Sequence, residues 1–473
     1  MKRREILRML GVGAAALTLP KGMQAATSQP AGRNPNVVYI LADDLRPDGV
    51  GALGNQVLKT PNMDKIVERG LAFRCAYCMG STGGAVCIPS RAMQWTGRTL
   101  FGDLSLQGQD TWPAVLSRAG YETFITGKWH QAPNALPAVF REGKSIFMEG
   151  MTHPEKTNVR DLAGGNFTAD RMCPKHATEE FADRAVEFLG GHKKDAPFAM
   201  YVAFTAPHDP RVAPKEYADL YDPEKIPLPP NFLPFHPFDN GEMTIRDERL
   251  APWPRTAEDI RRHRADYYAC ISFMDHHIGR ILDCLQETGQ LENTILVLAG
   301  DNGLSLGDHG LMGKQNLYEF GGMHVPLVLA GPGIRAGQTD AFAYLYDMAA
   351  TLGELTGTAA PEGSEGKSLA PILADKNRKV RDYLFTAYTK VQRAIRDDRW
   401  KLIRYPEVNV TQLFDLKADP YETKNLADDP AQAERVKKLM DVLAEEQKRF
   451  GDKAPLTVEN PKPAAVDLSF FKK

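Results

Sequence analysis

Cysteine is scarce in this chain. Cys75, Cys78, Cys87, Cys173, Cys270 and Cys284 are the six among 473 residues, too few and too scattered for a disulfide framework. Cys75 and Cys78 form a CxxC, but no second pair at zinc-site spacing accompanies it, so these thiols read as structural. An excess of positive charge is also missing: 58 Lys and Arg face 60 Asp and Glu, a formal net charge of -2. That balance supplies no global field for nucleic acid, and none is expected as a partner. Beyond the first residues no apolar run is long enough for a transmembrane helix, so no stable membrane span is expected. Internal repeats and low-complexity blocks are absent as well.

What the chain has is length and ordinary apolar content, 43% of residues, enough for a large core and more than a single one. Its start is basic through Arg8, apolar from Met9 to Leu19 and small around Ala25 and Ala26. That pattern describes an export signal, too short for a mature anchor. Arg3-Arg4 followed by Ile6 and Leu7 looks like a twin-arginine signal, with an ordinary Sec signal or a lipid-free membrane tether as the alternative. The expectation is a protein exported to the periplasm or secreted, with residues 1–26 as its export signal.

Asn36 to Ala42 reads NVVYILA, a strand buried on both faces. It ends in Asp43-Asp44. Adjacent carboxylates after a buried strand are costly unless a cation lies between them, and ligands of open α/β sheets gather at the carboxyl ends of strands. Alone, a helix cap or solvated loop would explain them. Three more predicted strands end in polar residues: Tyr121 to Thr126 before Gly127-Lys128-Trp129-His130, Phe198 to Phe204 before Pro207-His208-Asp209, and Thr294 to Leu298 before Asp301-Asn302-Gly303. Helices are expected from Pro61 to Arg69, Thr111 to Ala119, Ala177 to Gly190, Thr256 to Gly289, Tyr346 to Gly357 and about Ala431 to Phe450. The stretches Ala132 to Met172 and Pro227 to Pro254 read as loops over the site. From about residue 376, short alternating stretches at Tyr383 to Tyr388, Gln392 to Arg396, Trp400 to Arg404 and Thr411 to Asp415 read as an antiparallel sheet.

The stretch around which these pieces gather is Cys87-Ile88-Pro89-Ser90-Arg91, opening the run CIPSRAMQWTGR. Proline suits a first helical turn, so the cysteine is expected just before a helix N-terminus, where backbone dipoles favour anions. Taken alone, Cys87 has a buried structural thiol as its alternative reading.

This stretch resembles the signature of the type I sulfatases, Cys-x-Pro-Ser-Arg followed by Thr-Gly-Arg, here Thr96-Gly97-Arg98. The resemblance continues in family order from Asn36 to about Asn425. It implies that Cys87 is converted to formylglycine by a formylglycine-generating enzyme. The hydrated aldehyde is the family's nucleophile: one hydroxyl attacks sulfur and the second then loses its proton to expel sulfate. By the same resemblance Asp43, Asp44, Asp301, Asn302 and the modified residue 87 hold one metal ion. An oxygen-rich shell of that kind prefers calcium, or magnesium less well, over zinc. Arg91 orients the nucleophile; Lys128, His208 and Lys314 hold sulfate, with His208 and Lys314 serving the leaving oxygen, and His130 takes the proton whose loss releases sulfate.

The fold implied is α/β of the alkaline-phosphatase type: a large mixed β-sheet sandwiched by helices, with a smaller C-terminal α+β subdomain. Residues 27–375 would form the catalytic domain and 376–473 the subdomain. The function implied is hydrolysis of a sulfate ester, on a sulfated carbohydrate. A phosphonate monoester or phosphodiester hydrolase of the same superfamily is the alternative, as is a silent binder of sulfated glycans if Cys87 stays a thiol. Two histidines remain open. His324 stands where many relatives carry arginine, and either replaces that charge or packs; His309 either lines the pocket or sits in a solvated loop.

Overall fold

The structure, a computed structural model, describes residues 34–193 and 195–467; the expected export signal lies outside them. The described residues form sixteen strands. β1 Asn36–Ala42, β2 Gly70–Tyr77, β3 Gly80–Ser81, β4 Glu122–Lys128, β5 Glu142–Phe147, β6 Asn158–Ala163, β7 Asn166–Phe167 and β8 Arg171–Met172 come first. β9 Phe198–Ala203, β10 Thr294–Gly300, β11 His324–Ala330 and β12 Gly337–Tyr344 complete the large sheet. β13 Leu384–Tyr388, β14 Gln392–Arg396, β15 Trp400–Tyr405 and β16 Val410–Asp415 follow.

The large sheet runs β12-β2-β11-β10-β1-β9-β4-β5-β6-β7, with β8 beside β6. Its centre is parallel, since β1 pairs with both β9 and β10 and β4 pairs with β9. β11 is antiparallel to β10 and to β2, which makes the sheet mixed. β1 is buried at every position, as a parallel strand covered on both faces must be. Its side chains alternate between two cores: Val37, Tyr39 and Leu41 enter one, Val38, Ile40 and Ala42 the other. That is the period of two expected of a strand.

Helices cover both faces. On the second core lie α1 Pro61–Arg69, α4 Ala177–Gly191 and α5 Ala257–Glu287. On the first lie α2 Cys87–Thr96, α3 Trp112–Arg118 and α6 Asp347–Thr356. α5 matches its predicted range because Thr256 caps it, accepting a hydrogen bond from Asp259 N at 3.1 Å. Its predicted apolar face, from Tyr268 and Ile271 to Ile281 and Leu285, is buried.

The four predicted C-terminal strands form an antiparallel sheet, and α7 Ala433–Phe450 packs on it. β3 joins that sheet in parallel with β13. The connection leading to Cys87 is therefore tied to the C-terminal sheet.

One reading is corrected. Residues 132–172 are not loops throughout: β5 to β8 extend the large sheet at its far end. β5 and β6 are buried only in part, and β7 and β8 hold no buried residue; β5 alternates Glu142 and Lys144 outward with Gly143 and Ser145 inward. Charged and small polar residues in place of an apolar run masked the strand pattern. Gly150 and Met151 beyond β5 do line the site.

Candidate active site

The strands deliver their terminal residues to one edge of the sheet. β1 ends at Ala42 and hands Asp43 and Asp44 to the site; β10 does the same for Asp301 and Asn302, in register with it through Ala42 and Gly300. β4 ends on Lys128, and β9 leads to His208. Cys87 is the first residue of α2, one position further into the helix than expected, with Pro89 in the first turn.

The ten sequence-predicted residues converge. Cys87 Sγ lies 3.4 Å from His130 Nδ1 and 3.9 Å from Lys128 Nζ. Lys128 Nζ also donates to Asp43 Oδ2 at 2.5 Å. Lys314 Nζ donates to Asp44 Oδ1 at 2.6 Å, and Asn302 Nδ2 to the same oxygen at 2.7 Å. Arg91, fully buried, donates through Nε to Asp301 Oδ2 at 2.9 Å and through Nη1 to the Lys128 carbonyl at 2.8 Å. His208 Nε2 stands 3.7 Å from Asp44 Oδ2, while its Nδ1 donates to the Asp209 carbonyl at 2.6 Å.

Two residues hold left-handed backbone conformations that cost a non-glycine side chain energy: Asp44 with φ 64° and His130 with φ 54°. Strain of this kind persists where the surroundings over-determine it, as at working sites. Gly127, at φ 92°, packs so closely on Ala203 that a Cβ would strike its carbonyl oxygen. This glycine lets the chain turn so that Lys128 and His130 both face Cys87.

Electrostatics sort the groups. Burial alone would raise the Asp43 carboxyl, but Lys128, His208, Arg91 and Lys314 hold it far below the usual carboxylate range. Asp301 goes the other way, to about 7, through burial and the neighbouring Asp43 charge. Burial opposes the Lys314 ammonium, yet Asp44 leads the groups that keep it well above the ordinary lysine value. Burial, with Lys128 next, lowers His130 to about 3, so its imidazole is neutral at physiological pH. The Cys87 thiol is raised by burial, with Lys128 and Lys314 pulling against it.

The donor set fits a hard cation. Asp43, Cys87 and Asp301 each offer an atom within 4.8 Å of the others, and Asp44, His208 and Asp209 form a second such group. Asp43 Oδ1 and Asn302 Oδ1 are buried without a hydrogen-bond partner. Unpartnered buried oxygens are costly, and a cation with a preference for oxygen ligands satisfies both.

Above Cys87 opens a pocket of about 380 Å³ that His130, His208 and Lys314 also line. Sequence reasoning missed its outer wall: Met151, Glu242, Ile245, Arg246, Asp247, Gln315 and Tyr388. Arg246 forks onto both Asp209 carboxylate oxygens and donates to Asp247 Oδ1 at 2.8 Å. These side chains come from loops and from the end of β13, and no sequence pattern marks them beyond the proline-rich excursion already read as a loop over the site.

The two open histidines settle differently. His324 packs: it stacks on Tyr77 with centroids 4.6 Å apart, and its Nε2 reaches the Arg74 carbonyl at 2.8 Å. His309 is neither solvated nor pocket-lining, but buried against Tyr318 with ring centroids 3.7 Å apart.

Cations and carboxylates at strand ends, around a side chain at a helix start, form a site for attack on an anionic ester. Comparison with known proteins agrees. The Sulfatase family profile matches residues 35–358, and the C-terminal profile of N-sulphoglucosamine sulphohydrolase matches residues 307–449. A choline-sulfatase of Rhizobium meliloti is 30% identical over 84% of this chain and 83% of its own. An N-acetylglucosamine-6-O-sulfatase of Bacteroides thetaiotaomicron is 26% identical over 89% of this chain and 88% of its own. A solved structure of a protein in complex with its substrate, D-glucosamine-2-N,6-O-disulfate, superimposes with a TM-score of 0.75 at 25% identity, covering 90% of this chain and 99% of that one. The chain belongs to the sulfatase family of the alkaline phosphatase superfamily. It is accordingly a sulfuric ester hydrolase, with the large mixed sheet and C-terminal subdomain that the sequence implied.

Proposed function

We propose that this hydrolase removes sulfate from a carbohydrate, with residue 87 matured to formylglycine and one calcium ion held by Asp43, Asp44, Asp301, Asn302 and residue 87. The observation that carries the reading is the approach of Cys87 Sγ to His130 and Lys128 at the floor of the pocket, beside the unpartnered oxygens of Asp43 and Asn302. When present, the cation neutralises clustered carboxylate charge and the aldehyde hydrate supplies a nucleophilic oxygen.

This chain's own groups do the rest. Arg91 fixes Asp301 and the Lys128 carbonyl, and so the geometry of the floor. Lys128 and Lys314 present two ammonium groups to the sulfate oxygens. His208 keeps one proton on Nδ1, committed to the Asp209 carbonyl, so it serves the departing alcohol as an imidazolium, whose second proton on Nε2 passes to the leaving oxygen, assisted by Lys314. His130, neutral at physiological pH, accepts the proton whose removal releases sulfate.

The carbohydrate assignment rests on the pocket wall and on the relatives. Glu242, Asp247, Gln315, Arg246 and Tyr388 present donors and acceptors suited to hydroxyl groups. A volume near 380 Å³ lies in the range that holds a small ligand. The relatives named for N-acetylglucosamine 6-sulfate and glucosamine disulfate point the same way. Export through the twin-arginine route completes the proposal and rests on the Arg3-Arg4 start; a fusion of residues 1–26 to a reporter should reach the periplasm, and retention in the cytoplasm would refute it.

The test is release of sulfate from a panel of sulfated monosaccharides by protein made with a formylglycine-generating enzyme, beside Cys87→Ala made identically. Mass analysis of the peptide carrying residue 87 verifies the aldehyde. Turnover of at least one sugar, abolished in Cys87→Ala, is the expected result. A matured protein that cleaves only phosphonate or phosphodiester substrates would overturn it.

A further inference from the structure

The chain is nearly neutral overall, yet one cleft is not. About 680 Å³ in volume, it lies between β12, the outer strand of the large sheet, and the C-terminal sheet. Six cationic side chains line it, Arg74, Lys376, Arg378, Lys379, Arg396 and Lys417, against the two carboxylates of Asp340 and Asp398. Arg74 is paired with Asp340 at 2.5 Å and Arg396 with Glu319 at 2.7 Å. The other four are exposed and form no ion pair among the described residues.

These four are held together by structure. Thr339 Oγ1 of β12 donates to the Lys376 carbonyl at 2.7 Å, and Asn377 N donates to Asp375 Oδ1 at 3.1 Å. The loop carrying Lys376, Arg378 and Lys379 is thereby fixed to the sheet edge, with Lys417 on the same cleft. Gathered like charges repel one another and attract an anion of matching spread.

We propose that this cleft is a second anchoring site for a sulfated polysaccharide chain, separate from the site at Cys87. The proposal rests on the sulfated-carbohydrate reading above and adds that the substrate is a polymer. The two pockets share no lining residue. β12 lies four strands from β1, a lateral offset of roughly 19 Å between those two strands at about 4.8 Å per strand. A monosaccharide cannot bridge that distance; a chain engaging both would raise its own local concentration at Cys87. Lysine-rich recognition suits isolated sulfate groups as point charges. Single-stranded nucleic acid instead wants exposed aromatic platforms, and Phe342, the one aromatic among the cleft's lining residues, is 4% exposed.

The test compares the full chain with a Lys376→Ala/Lys379→Ala/Lys417→Ala variant, using dextran sulfate as probe and uncharged dextran as control. All three residues are exposed and unpaired, so the melting temperature and the hydrolysis of a small aryl sulfate should stay at parental values. Dextran sulfate should bind the parent, with affinity falling as salt rises, and bind the variant at least tenfold more weakly. The slope of log affinity against log salt should shrink by about two to three. Uncharged dextran should bind neither. Equal affinity in parent and variant would overturn the anchoring site, even in an enzyme shown to release sulfate from sugars. Duplex or single-stranded DNA competing as strongly as dextran sulfate would overturn its assignment to a sulfated glycan. A matured parent that releases no sulfate from any sugar would remove the carbohydrate reading beneath it.

Discussion

Replacing Arg91 by methionine isolates the charge network under the nucleophile. Arg91 is fully buried and its Nε is bonded to Asp301 Oδ2 at 2.9 Å. Asp301, also fully buried, already has its pKa pushed up to about 7 by burial and by Asp43. Removing one partner of a buried pair strands the other, at about 3–5 kcal/mol. The unfolding entropy of a domain this long, roughly 430 residues, is near 0.9 kcal/mol per kelvin, so the melting temperature should fall by about 3–6 °C. Differential scanning calorimetry in chelator reads it without help from calcium. The stranded carboxyl can take up a proton, which limits the loss at low pH. Its folded pKa lies above the unfolded value, so stability falls as pH rises from about 4 towards that folded pKa. In the variant this decline extends to higher pH, and the gap from the parent widens between pH 6 and 9. Adding Asp301→Asn removes the stranded charge and should recover part of the loss. A melting temperature within 1 °C of the parent across that pH range would refute the reasoning.

Other perturbations give equally definite outcomes. His236 is buried, its imidazole lowered to about 4 by burial, while its Nδ1 donates to the Phe238 carbonyl. A depressed histidine contributes stability that is complete above the unfolded value near 6.5 and is lost as pH falls through 4, by up to about 3 kcal/mol; urea titrations of His236→Gln should show a flatter pH dependence in that window. Gly127→Ala should destabilise by about 1–3 kcal/mol, because its Cβ meets the Ala203 carbonyl at φ 92°, and kcat should fall more than tenfold as Lys128 and His130 shift. Calcium at a hundred times its dissociation constant should stabilise by about 2.7 kcal/mol, read as a melting temperature roughly 3 °C above that in chelator, and Asn302→Ala should shrink the difference.

The centre of the fold was legible because its physics is local. β1, β9 and β10 are parallel strands buried on both faces, and such strands announce themselves as unbroken apolar runs that end in polar residues. Each of those ends then proved to lie at the site. α5 was legible for the same reason, through a capping threonine and a regular apolar stripe. β5 to β8 were not, because they are short and carry charged or small polar residues where the central strands carry apolar ones, as in Glu142, Gly143, Lys144 and Ser145 of β5. The pocket wall was illegible for a different reason. Arg246 belongs to the site because it reaches Asp209, 37 residues away in sequence, and Tyr388 because β13 ends at the pocket mouth. Contacts of that separation leave no trace in spacing. His309 shows the same limit: glycines beside it suggest a loop, and only Tyr318 in the folded chain explains its burial.

The most direct measurement of the central claim is hydrolysis in ¹⁸O-labelled water. If the matured side chain at residue 87 attacks sulfur, the oxygen it transfers comes from solvent and the alcohol keeps its own. Label should therefore appear in the sulfate and not in the alcohol, and Cys87→Ala should release neither. Label in the alcohol, or undiminished turnover in Cys87→Ala, would contradict the account.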